Sequence, residues 1–207
     1  EYAVPDFQLD SLNDPFPHKI KPMLTTLVEK PFDHPDWLFE IKLDGYRAIA
    51  AVKGGAAELY SRNFTSFTDK FLHISKALAE GVDAVYDGEI VVLDEKGRSR
   101  FQLMQNFAKQ GEGRPLFFVF DLLYLEGKDL RSLPLLERKE KLKQFLPEHD
   151  NLKYVDHIEE KGKAFFSLAQ ENALEGIIAK RSSGSYLTGK RTADWLKIKV
   201  AMRQEAI

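Results

Sequence analysis

Glu40-Ile41-Lys42-Leu43-Asp44-Gly45-Tyr46-Arg47 is where a reading of this chain starts. Side chains alternate across an extended strand, so Glu40, Lys42 and Asp44 share one face. Asp44-Gly45 is a turn dipeptide that lets Arg47 come back towards the same place, and Tyr46 to Val52 resumes as a β-run. On spacing alone, such alternation is more often a solvated strand face with Glu–Lys–Asp pairing.

Two further stretches repeat the pattern. In Trp195-Leu196-Lys197-Ile198-Lys199-Val200 both lysines take one face and the aliphatic residues the other. In Val85-Tyr86-Asp87-Gly88-Glu89-Ile90-Val91 an apolar strand projects Asp87 and Glu89 together. Cationic, anionic and mixed faces in one small domain favour a single cleft that handles phosphates with a hard divalent cation.

The whole-chain balance hides this. The 207 residues carry 30 Lys+Arg against 32 Asp+Glu, a formal net charge of −2. Yet residues 80–95 hold six acids and no base, and residues 175–203 hold seven bases against Glu175 and Asp194. A near-neutral chain can therefore carry a local anion-binding face beside a carboxylate cluster. Hydrophobic residues at 43% and fifteen Phe support a packed core. The absence of Cys excludes disulfides, thiol catalysis and thiolate metal sites. No apolar run approaches the roughly 18 residues of a membrane helix.

Residues 1–22, with Pro5, Pro15, Pro17 and Pro22, read as an extended lead-in. Strands are expected at Glu58–Arg62, Ala84–Leu93, Leu116–Leu125, Tyr154–Ile158, Ile177–Lys180 and Trp195–Val200. Helices are expected at Thr68–Ala79, Phe101–Ala108, Pro134–Leu146 and Ala164–Glu171. The order is too rich in strands and hairpin signals for a doubly wound parallel sheet, and an α+β domain with antiparallel sheets fits better. Gly184 to Arg191 nearly spells a phosphate-binding P-loop. It lacks the hydroxyl after Lys190 and a following helix, so it is rejected. The five histidines (His18, His34, His73, His149, His157) show no metal-ligand spacing.

Lys42-Leu43-Asp44-Gly45-Tyr46-Arg47 resembles the nucleotidyl-lysine motif (KxDGxR) of ATP-dependent DNA ligases and related covalent nucleotidyltransferases. Ser61-Arg62-Asn63, Asp87-Gly88-Glu89, Phe118 to Leu125, Glu175 to Lys180 and Trp195 to Lys199 resemble the later motifs, in the family's order. The likeness covers about residues 19–205. With the tail Met202-Arg203-Gln204-Glu205, it is most similar to the ligase module of bacterial end-joining ligase D.

The resemblance implies an α+β, nucleotidyltransferase (ATP-grasp-like) fold: two antiparallel β-sheets flanked by helices, with the active site between them. Residues 1–22 would lead in and residues 23–207 would form the adenylation domain. The family's following OB-fold domain has no counterpart here, so the chain reads as a fragment of something longer. Lys42 would take AMP from ATP, with Lys197 and Lys199 as cationic catalytic partners. Glu89 and Glu175 would hold Mg²⁺ or Mn²⁺, or Glu89 a ribose hydroxyl. Phe120 and Ile178 would sandwich adenine and Glu40 would read its amino group. Ile41 and Asp44 join that nucleotide-binding set, and Arg47, Arg62 and Lys180 would contact phosphate or ribose. The implied partners are nicked or broken double-stranded DNA, the OB-fold domain, fused polymerase or nuclease modules and an end-binding protein. No membrane is implied, and the implied location is the bacterial cytoplasm, at the nucleoid. RNA ligases and capping guanylyltransferases share the lysine motif and remain the alternative. A non-catalytic nick- or end-binding module is the alternative from another class.

Overall fold

The structure, a computed structural model, describes residues 13–200. The Met202–Glu205 tail, Arg203 of the basic run and the first twelve residues of the lead-in lie outside the described residues. Residues 13–23 carry no helix or strand, in keeping with their prolines.

Eleven strands and four helices follow among the described residues. In order they are β1 (Leu24–Val28), β2 (His34–Ile41), β3 (Tyr46–Lys53), β4 (Ala56–Ser61), α1 (Leu72–Ala79), β5 (Ala84–Val92), α2 (Phe101–Gln110) and β6 (Pro115–Leu125). Then come β7 (Lys128–Asp129), α3 (Leu135–Phe145), β8 (Leu152–Tyr154), β9 (Ile158–Glu160), α4 (Gly162–Glu171), β10 (Gly176–Arg181) and β11 (Arg191–Lys199). One sheet runs β1-β11-β10-β2-β9. The other runs β4-β3-β5-β6-β7, with β8 beside β6. Both are antiparallel except for one parallel pair each, β1 with β11 and β6 with β8.

Alternation along the strands sets the layers. On the six-stranded sheet, Ala48, Ala50, Phe117 and Val119 pack with Ile74 and Leu78 of α1, Met104 of α2 and Leu142 of α3. Their neighbours Ile49, Val85 and Phe120 point the other way and meet Trp195 and Tyr186 between the sheets. On the five-stranded sheet, Phe39, Ile177, Ala179 and Ile198 pack on Phe165 and Ala169 of α4. That leaves Glu40, Ile178, Lys180 and Lys197 facing the space between the sheets.

Several local expectations change for non-local reasons. The Asp44-Gly45 turn closes no hairpin: β2 and β3 belong to different sheets, so Lys42–Gly45 is a crossing between layers. Gly45 is needed there because a Cβ would lie 2.1 Å from the Ile90 carbonyl oxygen. The run Tyr154–Ile158 is two strands. β8 ends at Tyr154, the Val155 N–H donates to Val119 O, and β9 joins the other sheet beside β2. The first helix starts only at Leu72, because the Thr68 hydroxyl accepts from the Leu59 N–H. β1, Leu-Thr-Thr-Leu-Val, was not anticipated. It sits just after the prolines and gains its register from β11.

Candidate active site

Strand geometry brings most of the expected residues into one cavity of about 200 Å³ between the sheets. Its lining includes Glu40, Ile41 and Lys42 from the end of β2, Arg47 from β3, Glu89 from β5 and Phe120 from β6. Ile178 and Lys180 of β10 and Lys197 of β11 complete the expected set. Register explains the grouping: Ile178 pairs with Glu40 on one side and Lys197 on the other, and Arg47 pairs with Glu89.

Lys42 lies just beyond the last hydrogen-bonded residue of β2, and its backbone N–H donates to Gly176 O at 3.0 Å. Its Nζ is 2.5 Å from Glu175 Oε2, with both side chains about one-fifth exposed. Glu175 immediately precedes β10 and meets the lysine rather than lining the cavity. Burial lowers the Lys197 ammonium, Lys199, Lys42 and Arg191 lower it further, and Glu175 opposes them. The cations therefore act on one another across β11 and the β2 end.

Arg47 and Glu89 face each other electrostatically. Arg47 Nε and Nη2 each donate to Asp87 at 2.6 Å, and Nη2 also donates to Met23 O. Its guanidinium carbon lies 4.8 Å from the Phe120 ring centroid. Asp87 is fully buried and also accepts from the Tyr186 hydroxyl at 2.6 Å. Burial pushes the Glu89 carboxyl up to about 7, against the opposing pull of Arg47 and Lys42. Glu40 is 2% exposed between Lys139 and Lys180. Burial would raise it, but the two ammonium groups outweigh burial and hold it below the usual carboxylate range.

Besides Glu175, three expected residues do not line the cavity. Asp44 accepts from the Phe101 N–H at 3.0 Å, so its carboxylate is committed to the start of α2. Arg62 follows β4 and is exposed at its outer end. Lys199 is exposed at the end of β11, two residues beyond Lys197, and acts on the site only through its charge. The acids of residues 80–95 also form no single face. Asp87 is buried against Arg47, Asp83 accepts from the Gly54 N–H and Asp94 accepts from Arg98.

Residues 20–199 match the family of ATP-dependent DNA ligase domains. This chain belongs to that family. The multifunctional non-homologous end joining protein LigD of Pseudomonas aeruginosa is 39% identical over 198 residues, covering 93% of this chain and 23% of that protein. The SPbeta prophage-derived DNA ligase-like protein LigB of Bacillus subtilis is 32% identical, covering 86% of this chain and 67% of its own length. The solved structure of mycobacterial DNA ligase D complexed with ATP and MES aligns with TM-score 0.78 at 32% identity, covering 87% of this chain and 60% of that one. This ligase domain thus spans under a quarter of the Pseudomonas relative's length.

Sequence reading did not single out four residues that shape the ligase-domain site. Trp195, Thr25 and Leu43 line the cavity, and Lys139 of α3 holds Glu40 from behind. Trp195 was visible as the residue that starts the alternating lysine strand. Lys139 gave no local signal, because its partner lies 99 residues away.

Proposed function

We propose that this chain is the adenylation domain of an ATP-dependent DNA ligase acting in end-joining repair. Lys42 is the nucleophile. Its neutral amine attacks the α-phosphorus of ATP, an N–P bond forms, and the bond to the pyrophosphate oxygen breaks. AMP then passes from Lys42 to the 5′-phosphate of a DNA nick or break. The adjacent 3′-hydroxyl attacks that phosphate, sealing the strand and releasing AMP. The observation carrying this reading is Lys42 in the lining of an inter-sheet cavity that Arg47, Lys180 and Lys197 also line.

Phe120 and Ile178 supply apolar faces for the purine. Glu40 is placed to accept from its amino group, and Arg47 and Lys197 to meet phosphate charge as it redistributes. Lys199 adds positive potential behind Lys197. Among the described residues no three His, Asp or Glu side chains converge. Glu89 and Glu175 still fit a magnesium or manganese ion that arrives with the nucleotide: Glu175 Oε2 meets Lys42 at 2.5 Å without hydrogen-bond geometry, and Mg²⁺ needs only one or two carboxylates beside phosphates and water. When bound, such an ion would neutralise phosphate charge. Duplex DNA, a following OB-fold domain, polymerase or nuclease modules and an end-binding protein are the proposed partners, at the bacterial nucleoid. No described helix is long and apolar enough to cross a membrane.

Intact mass spectrometry after incubation with ATP and Mg²⁺ tests the reading. An AMP-sized adduct is expected on the wild-type chain, stripped by pyrophosphate and absent from Lys42→Ala. An adduct that persists in Lys42→Ala would remove Lys42 from this role.

A further inference from the structure

The loop between β10 and β11, which is no P-loop, carries one buried residue, Tyr186, 3% exposed. Its ring meets Trp195 edge to face at 5.6 Å between centroids, and its backbone N–H donates to Arg131 O at 2.8 Å. Arg138 holds the same loop by donating to Gly184 O at 2.9 Å. With ring and backbone both anchored, the Tyr186 hydroxyl has one place to sit.

That hydroxyl closes a ring of hydrogen bonds around Arg47. It donates to Asp87 Oδ2 at 2.6 Å and accepts from the Met23 N–H at 3.0 Å. Arg47 Nη2 donates to the same Oδ2 at 2.6 Å and to Met23 O at 3.3 Å, and Nε donates to Asp87 Oδ1 at 2.6 Å. Asp87 and Met23 are fully buried, so bulk water does not replace a lost member. A guanidinium has five N–H donors. Three are committed to this ring, which leaves the two of Nη1 as the end Arg47 can offer the cavity it lines. Two side chains bonded only to each other can still turn together. The third bond to Asp87, from a separately anchored ring, fixes the carboxylate and through it the guanidinium plane.

We propose that Tyr186 is a positioning residue for nucleotide transfer: through Asp87 and the Met23 peptide it holds Arg47 with Nη1 turned to the phosphate of the bound nucleotide. This rests on the reading of Arg47 as a phosphate contact and assigns what aims it. Tyr186 is outside the cavity lining, so its hydroxyl serves the reaction only through Arg47. Phosphate charge redistributes as the α-phosphorus is attacked, so a tilted guanidinium costs rate more than it costs ATP binding.

Single-turnover adenylation, read by intact mass over a series of ATP concentrations with Mg²⁺, tests this on the whole chain. Tyr186→Phe keeps the ring and loses only the hydroxyl. It should slow the maximal rate of AMP-adduct formation roughly ten-fold and leave the half-saturating ATP concentration within about two-fold of wild type. In an Arg47→Lys background no planar fork remains to be aimed, and the same substitution should change the rate by less than about two-fold. A merely structural loss would slow both backgrounds alike, and that result overturns the proposal. So does a Tyr186→Phe rate within about two-fold of wild type. Should Tyr186→Phe fail to fold by circular dichroism, or Arg47→Lys form no adduct, the wild type decides by proton NMR. A slowly exchanging Tyr186 hydroxyl signal supports the ring, and a hydroxyl in rapid exchange with solvent overturns it. If wild type forms no adduct, the proposed function itself falls, which is a different result from equal rates.

Discussion

The two sheets hold their charges in opposite ways. On the six-stranded side the buried acids sit in closed arginine forks. Asp87 takes two bonds from Arg47, and Asp121 takes two from Arg138 at 2.8 and 2.9 Å. Arg138 also donates to Leu133 O and Gly184 O, tying α3 and the 182–190 loop to β6. On the five-stranded side the cavity cations are lysines with looser partners. Lys42 meets Glu175 through one contact, and Lys180 lies near Glu40 without a directed bond. A planar guanidinium fixes two bonds at once, whereas an ammonium is a point charge that can exchange one acceptor for another. The forks hold their cations in fixed places, whereas the lysine contacts can be exchanged for other acceptors.

Removing one half of a fork is the most severe way to break that contrast. Arg138→Met would leave Asp121, fully buried, without its counter-charge. The unfolding free energy should fall by about 3–5 kcal/mol, read from urea denaturation midpoints. Replacing both partners, as Arg138→Met with Asp121→Leu, should recover much of that loss, because no uncompensated charge remains. A loss below about 1 kcal/mol for Arg138→Met would show that the fork is no more than a surface-grade pair and carries no frame.

Glu89 sharpens the comparison, because it is the site-facing carboxylate of the six-stranded sheet that no arginine fork closes. Its carboxyl is pushed by burial from the usual 4.5 to about 7. The folded chain therefore holds a proton that the unfolded chain releases between these values, and the stability due to this group falls as pH rises from 4.5 through about 7. Glu89→Gln has nothing to ionise. It should be more stable than wild type above pH 7, by no more than about 3 kcal/mol, and the difference should vanish below pH 4.5. Unfolding curves at several pH values between about 5 and 8 would check this, and a pH-independent difference would refute the buried-carboxyl account.

What was legible in the sequence was whatever depends on alternation within one strand. Lys197 against Leu196 and Ile198, and Asp87 with Glu89, both followed from a period of two. Lys42, Phe120 and Ile178, singled out by the motif order, line one cavity. Not legible was anything decided by a partner far along the chain. Arg47 finds Asp87 forty residues away, so a residue expected to meet phosphate is first bound to a buried acid. The switch of sheets at Val155–His157 leaves no mark in a run that is uniformly strand-like. Side-chain identity also failed to separate Asp44 from its neighbours. Glu40, Lys42 and Asp44 alternate alike, but the chain leaves the strand at Lys42, so the third member of the pattern points elsewhere.

That third member gives the gentlest test. The N-cap residue of α2, Arg100, makes no side-chain cap, and the Phe101 N–H is satisfied instead by Asp44 from across the sheet crossing. In return the Asp44 N–H donates to Ser99 Oγ, so the turn carrying Lys42 and the start of α2 are tied in both directions. Asp44→Ala should lower the unfolding free energy by about 1 kcal/mol, as other lost helix caps do. The Phe101 amide should exchange faster with solvent, while Asp44→Asn, which keeps an acceptor oxygen, should retain most of the protection. Unchanged exchange at Phe101 in Asp44→Ala would mean the tie carries no energy. Asp44 would then have to be regrouped with the site-facing residues rather than with the frame.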